Sequence, residues 1–561
     1  MNHHQNIPKA DLLHQKRVKS SNSRDHSTLA VLLCLWVIAF LVRIVWIWPL
    51  HYNDWFGDAA YNVRIAEDIA EGKDATWVGR DSPFFVFTPL FHLLVALVLL
   101  IFPFTPITAA KLVSAFTTSF VPPSLYLLIY RLTRGRQEAL TGALIAVFTP
   151  WFLAISVMTL ATGLYIAFVI GSYTALICIR GTWRIPLSLI FAGLAALSRP
   201  EGAFFLLVTM IWVLIMAFHR KDRNEWRLTL LSVLLIGLSV VVVMMVIWFW
   251  RADDPFVWIT SMLGHQADEA QKGKLTVAEL GYLALIILAT YSGFGGDPEP
   301  LQFDLYNAFR LGFAIGLLLL IAYGFWVVFR EWRDGHLTNE IRQSYLFILT
   351  SWTSMLIFLI LLDGRWIKYH IPGVILIQPL FITVAIFDLA KKIRMSSVVT
   401  QRWKNVSKNH IMILLLILSI LSIQFLFAFT TNALLKSQMW EPRREVTEWL
   451  NKTTSEDTVI VIPHREYYVT AYTQAASMNY EELYNEANFT QNDPTQAQLL
   501  ETLNRIGVLF LVTTSDSDRQ DNPYYSQIIE LINNQTAIEF AANFEWRSLS
   551  IQLAVLKVMF V

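Results

Sequence analysis

Cysteine is nearly absent from this sequence. Cys34 and Cys178 are the only two, both in apolar runs, so no disulfide framework is on offer. Charge is scarce as well: only 16% of the 561 residues are Asp, Glu, Lys or Arg, where a soluble protein carries about a quarter. The net charge of +1 leaves no cationic surplus for nucleic acid, and the basic residues fall in short clusters rather than one stripe. No Walker loop, HExxH, CxxC pair or Gly-x-Ser-x-Gly elbow occurs, which removes the chemistries that those motifs build. Within the apolar runs the ionisable residues Arg43, Lys111, Arg310 and Asp388 all stand near span ends. A proton-coupled carrier needs such groups at mid-membrane, where each costs about 3 kcal/mol and is kept for function.

What is abundant is apolar. Hydrophobic residues make up 55% of the chain, and the mean hydropathy is +0.47. With 20 Trp, 19 Tyr and 37 Phe to form interfacial belts, this is the composition of a polytopic α-helical membrane protein. Residues 1–27 form a polar tail with Lys9, Lys16, Arg17, Lys19 and Arg24. The run Leu29 to Leu50 is too long for a signal-peptide core and reads as a retained first span. Basic clusters at Arg131–Arg136, Arg180–Arg184, His219–Arg227, Phe329–Arg333 and Lys391–Lys408 mark the cytoplasmic side. Spans that connect them are roughly 29–48, 107–130, 140–155, 163–179, 185–197, 203–218, 228–250, 309–328, 345–362, 371–389 and 411–428. That predicts about eleven helices in a multi-pass plasma or inner-membrane protein, N-terminus inside and C-terminus outside.

Two further apolar stretches, Phe84–Phe102 and Leu280–Gly295, break this alternation if they cross, and are expected to be interfacial or re-entrant on the outer face. The domains follow: a basic tail at 1–27, a transmembrane domain at 28–432 with a long outer loop at 51–104, and an extracytoplasmic α/β domain at 433–561. In the last, Asp457–Ile462, Val508–Thr514 and the closing "LAVLKVMFV" have strand character, while "TQAQLLETLNRIG" and "SQIIELINN" read as helices.

The outer loop holds the first chemical signal, "FGDAAYNVRIAEDIAEGK". Tyr61, Asn62, Ile65, Ala66, Ile69 and Ala70 share one face of a helix, with Arg64, Glu67, Asp68, Glu71 and Lys73 elsewhere, as suits a helix lying in the interface. Asp58 stands at its start, where the helix dipole favours a carboxylate. An N-cap explains that position equally well, and Asp54 competes for the same role. The second signal is a set of basic residues on the outer side, where positive-inside bias makes them scarce. "SRPEG" puts Arg199 and Glu201 in a tight turn, and "DGRWIKYHIPG" sets Arg365, Lys368, Tyr369 and His370 at the mouth of another helix. Together they can hold a phosphate at the membrane surface, although any one of them can equally snorkel to lipid headgroups.

An aspartate just after the first span, then "YxxxAxxIAxG" and "TPLFHLLVAL", resembles the first outer loop of the GT-C membrane glycosyltransferases. These are the polyprenyl-phosphate-sugar-dependent enzymes such as protein mannosyltransferases and aminoarabinose transferases. "GLAALSRPEGAFFLL" and "GRWIKYHIPGVILIQPL" are similar to further segments of that family, and the resemblance in layout spans nearly the whole chain. It implies Asp58 as the catalytic residue; Asp54, Tyr61, Arg199, Glu201, Arg365, Lys368, Tyr369 and His370, from the loops and clusters above, are the expected substrate-binding set. Family members often carry a second acid after the third span. This chain reads "ATGLY" there, with Thr162 in the acid's place, so a divalent metal has no second carboxylate to support it and no cofactor is expected.

The resemblance implies a polyprenyl-phosphate-linked sugar as donor and a lipid, glycan or protein as acceptor. A sugar on a lipid phosphate already has a good leaving group, so one base acting on the acceptor hydroxyl suffices, and in-line attack inverts the anomeric centre. Fixed cations at the surface would stabilise the departing phosphate. The other readings are a lipid or polysaccharide transporter, which needs polar residues along a path through the helices, and a non-catalytic receptor or assembly subunit that binds through its tail domain.

Overall fold

A computed structural model of the chain describes residues 28–45, 57–72, 89–148, 150–220, 223–252, 305–362, 376–395, 441–455, 458–462, 473, 476–480, 483, 496–514, 538–546 and 551–558. The first helix, α1 (Thr28–Val45), presents a buried stripe of Leu35, Ala39 and Arg43 at four-residue spacing, while Leu29, Leu33, Leu41 and Val45 face outward. Helix α2 (Gly57–Glu71) follows, then α3 (Pro89–Ile101), α4 (Pro106–Thr118) and α5 (Val121–Thr133).

Within the expected span at 107–130 a turn at residues 119–120 divides α4 from α5, although together they run Pro106–Thr133 and are long and apolar enough to cross a bilayer. Pro122 and Pro123 open α5 in its first turn, where a missing N–H costs nothing. The expected span at 140–155 is likewise two pieces, α6 (Arg136–Phe148) and α7 (Pro150–Val157), divided just before Pro150. Six further helices run on: α8 (Thr162–Cys178), α9 (Arg184–Ala196), α10 (Pro200–Arg220), α11 (Arg223–Ala252), α12 (Leu305–Arg333) and α13 (Asn339–Leu362). Helix α14 (Gln378–Met395) completes the described part of this region.

These helices enclose one large apolar core. At its centre the Tyr173 hydroxyl bonds to Ser351 of α13 at 3.0 Å, and the ring meets Phe205 and Phe347 edge-on at 5.5 and 5.4 Å. Helices α12 and α14 approach until the backbones touch: a Cβ on Gly324 would lie 2.1 Å from the Phe381 carbonyl oxygen. Nearby, Tyr323 and Arg330 both donate to Asp388, at 2.6 and 2.8 Å.

Outward faces tell the solvent. Leu230, Leu231, Leu234, Leu235 and Leu238 of α11 are all exposed, a surface that water would not tolerate and lipid would. Among the described residues five helices are long and apolar enough to cross a bilayer: Thr28–Val45, Pro106–Thr133, Glu201–His219, Asn224–Val246 and Ile315–Arg333. The chain is an integral membrane protein. Helix α3, within the expected interfacial stretch 84–102, has 13 residues, about 20 Å, against a hydrocarbon core of about 30 Å. The stretch 280–295 and the expected span 411–428 lie outside the described residues.

Beyond residue 440, helix α15 (Glu441–Thr453) leads into a five-stranded sheet of order β2-β1-β3-β5-β4. Strands β1 (Val459–Ile462), β2 (Ala476–Asn479) and β3 (Val508–Thr514) are parallel; β5 (Ile551–Val558) pairs antiparallel with both β3 and β4 (Ile538–Trp546). Helix α16 (Gln496–Ile506) ends at Gly507, whose φ of 79° only glycine adopts without strain, and whose N–H caps the Leu503 carbonyl at 3.0 Å. The sheet core holds Val446, Leu450, Ile460, Ile462, Phe510 and Val512, with Trp449 edge-on to Phe510 at 5.5 Å. The expected helix at 526–534 lies outside the described residues.

Candidate functional site

Asp58 stands in the first turn of α2, and Tyr61 follows it within the same helix. What fixes that helix is its apolar face. Val63 and Ala66 pack into a cluster with Phe91 and Val95 of α3, Ala109, Ala110 and Val113 of α4, and Leu164 of α8. The helix is therefore packed against protein on that face. Asp68, expected on the polar side, is 1% exposed and pairs with Arg64 Nε at 3.1 Å. Burial pushes Glu67 above the usual carboxylate range, opposed by the neighbouring Arg64 cation. A polar pin crosses the same interface: His92 Nε2 of α3 donates to Asn62 Oδ1 at 2.7 Å, and both side chains are buried. Nothing in the spacing singled out His92, because a histidine in an apolar run carries no periodicity signal of its own.

Helix α3 in turn begins against the "SRPEG" turn, since the Leu90 N–H donates to the Leu197 carbonyl at 3.0 Å. The turn is held tight by glycine. A Cβ on Gly202 would sit 2.0 Å from the Ala195 carbonyl oxygen, so the first turn of α10 can lie on the end of α9 only with glycine there. Arg199 and Glu201 are locked together in it. Nε and Nη2 of Arg199 meet the two carboxylate oxygens at 3.1 and 3.0 Å, and Nη1 donates to Thr162 Oγ1 at the start of α8. The side chains of the pair are only 14% and 7% exposed. Arg199 was expected to offer a free cation; the fold instead neutralises it with Glu201, as burial of a charge demands.

This arrangement bears on the missing second acid. Thr162, in the acid's place, lies on one side of the Arg199 guanidinium, and the Glu201 carboxylate lies across it. A carboxylate is thus delivered beside α8 from a different element. Among the described residues no group of three or more His, Cys, Asp or Glu is arranged to hold a metal ion.

One further cation reaches this end of the bundle. Arg43, near the end of α1, is fully buried. Its Nε donates to Thr118 Oγ1 at 3.0 Å and its Nη1 to the Ala39 carbonyl at 2.9 Å, while Nη2 has no partner among the described residues. Thr118 lies against α8 where Gly163 leaves room for it: a Cβ there would be 2.9 Å from the Thr118 methyl. In the sequence Arg43 stands out only as an ionisable residue near a span end, and its four-residue spacing from Leu35 and Ala39 is the one signal that sets it on their face. Asp54, Arg365, Lys368, Tyr369 and His370 lie outside the described residues.

Three segments separated in sequence therefore meet: the start of α3, the start of α8 with Thr162, and the turn carrying Arg199 and Glu201; α2, which carries Asp58 in its first turn, packs on α3, α4 and α8. By sequence the chain matches no family model and no curated protein. By structure it is similar to the apo oligosaccharyltransferase of Archaeoglobus fulgidus, with a TM-score of 0.57 at 13% identity over 91% of this chain and 73% of that one. The same archaeal protein in complex with an inhibitory peptide and a dolichol-phosphate superposes with a TM-score of 0.55 at 12% identity, over 87% and 69% of the two chains. ArnT of Cupriavidus metallidurans bound to undecaprenyl phosphate gives a TM-score of 0.56 at 12% identity, over 93% of this chain and 98% of that one. The chain shares the overall fold of these two membrane proteins.

Proposed function

We propose that the protein transfers a sugar from a polyprenyl-phosphate-linked donor to an acceptor hydroxyl at the outer face of the membrane, with Asp58 as the base. The observation that carries this reading is that α2, with Asp58 in its first turn, is pinned to α3, whose own start lies against the Arg199–Glu201 turn. Two structural neighbours support it by what they hold: the archaeal protein a dolichol-phosphate, and ArnT an undecaprenyl phosphate.

In this reaction Asp58 takes the proton of the acceptor hydroxyl as its oxygen bonds to the anomeric carbon. The bond from that carbon to the phosphate oxygen breaks, and polyprenyl phosphate departs with the electron pair. Attack from the face opposite the phosphate inverts the centre, and no acid is needed for so good a leaving group. Charge grows on the phosphate, where cations in a low-dielectric setting count most. Arg365 and Lys368 are assigned to meet it, with the buried Arg43 adding its field from within the bundle; Arg199 acts by holding Glu201 beside Thr162. Asp54, Tyr61, Tyr369 and His370 complete the substrate-binding set. Lipid, glycan and protein acceptors all present the hydroxyl this chemistry requires.

The test is to incubate purified protein with polyprenyl-phosphate hexoses and pentoses and each acceptor class, then read product anomeric configuration by NMR. Inverted product from at least one donor is expected. Retained configuration would overturn the single-base mechanism.

A further inference from the structure

At the end of the bundle away from Arg199, the ends of α5, α8 and α10 and the starts of α9, α11 and α13 surround a cavity of about 640 Å³. Helices α9 and α10 separate it from the "SRPEG" turn by their lengths of 13 and 21 residues, about 20 and 31 Å. It belongs to no part of the site described above. Its floor is apolar, with Leu176, Ile177, Met216 and Leu228, and its rim carries Arg131, Arg180 and Arg184.

Two of those arginines are already satisfied. Arg131 pairs with Glu340, and Arg184 Nη2 with Glu225 Oε1 at 2.7 Å. Arg180 is exposed and has no partner among the described residues. It leads the short link between α8 and α9, in which Gly181 takes a φ of 87° and Trp183 is left 68% exposed. An exposed tryptophan beside exposed Ile179 at a helix end marks the headgroup level of a bilayer. Basic clusters on two different connections of the chain meet at this rim, the side that positive-inside bias makes cytoplasmic.

We infer that this cavity binds the phosphate headgroup of an anionic phospholipid from the leaflet on that side, with Arg180 contacting the phosphate. The volume suits a headgroup and its glycerol. The open cation at the rim meets the phosphodiester, and the apolar floor continues into the acyl chains, a combination that free phosphate does not need. The two ion pairs keep the rim arginines in place without offering a competing positive charge to soluble anions.

Native mass spectrometry of the detergent-solubilised full chain tests this with phosphatidylglycerol and phosphatidylcholine of identical chains, alone and with excess inorganic phosphate. Wild type should retain phosphatidylglycerol at least about fivefold more than phosphatidylcholine, the discrimination one cation supplies at a membrane surface. Arg180→Glu should bring the two lipids to parity, and Arg180→Lys should keep the preference. Because residue 180 is exposed and unpaired, both variants should fold. If either does not, a photoreactive phosphatidylglycerol on wild type decides, with crosslinks expected at 176–184 and 212–216. Equal retention of both lipids by wild type, an undiminished preference in Arg180→Glu, crosslinks elsewhere, or displacement of the lipid by inorganic phosphate would each overturn the proposal.

Discussion

At the scale of single residues the site is built from charges that fix one another. Arg199 spends three of its nitrogens on Glu201 and Thr162, so its part is to hold a carboxylate rather than to stand free. Glu201→Ala leaves that guanidinium uncompensated and is expected to cost about 3–5 kcal/mol, read as a loss of thermal stability in detergent. Glu201→Gln, which keeps an acceptor for Arg199, should cost clearly less. If Glu201→Ala melts with wild type, the pair does not hold the turn. Arg199 and Glu201 stood out in the sequence because an outward cation is rare in a membrane protein. Their pairing was not visible, since residues two apart meet only when a proline and a glycine fold the chain back between helices. Asp68 misleads for a related reason: helical spacing puts it among polar residues, and the ion pair with Arg64 helps offset the cost of burying it.

At the scale of elements, short helices and their junctions do the positioning. Continuous apolar runs predicted spans at 107–130 and 140–155; prolines at 122–123 and 150 open a new helix within each, while Pro106–Thr133 still runs as one membrane-length unit. Hydropathy sums over such breaks, which is why they are hard to read from composition while the prolines are in plain view. The glycine at 202 is another such case. Gly202→Ala drives a Cβ into the Ala195 carbonyl, which backbone cannot evade without moving α10 away from α9. We expect about 1–3 kcal/mol of destabilisation and a loss of sugar transfer with Asp58 untouched. A variant with wild-type melting and full activity would show that the turn's tightness is immaterial. The interfacial periodicity of α2 was legible in the sequence, whereas the partners that bury Val63 and Ala66 come from α3, α4 and α8 and needed the fold.

At the scale of the whole molecule, scarcity of charge and the placing of what charge there is carried most of the architecture. The basic clusters at 131–136, 180–184 and 219–227 are expected to share one side, and Arg131, Arg180 and Arg184 do line a single cavity. Strands at 459–462 and 508–514 coincide with β-branched and aromatic runs, but the order β2-β1-β3-β5-β4 depends on pairings over long sequence separations that no local pattern encodes. The measurement that tests the central claim most directly is release of polyprenyl phosphate from a polyprenyl-phosphate sugar, wild type beside Asp58→Asn. Removing a general base is expected to slow release about 100- to 10,000-fold with donor binding and thermal stability kept. Equal release by both proteins would contradict the account and move the base away from Asp58.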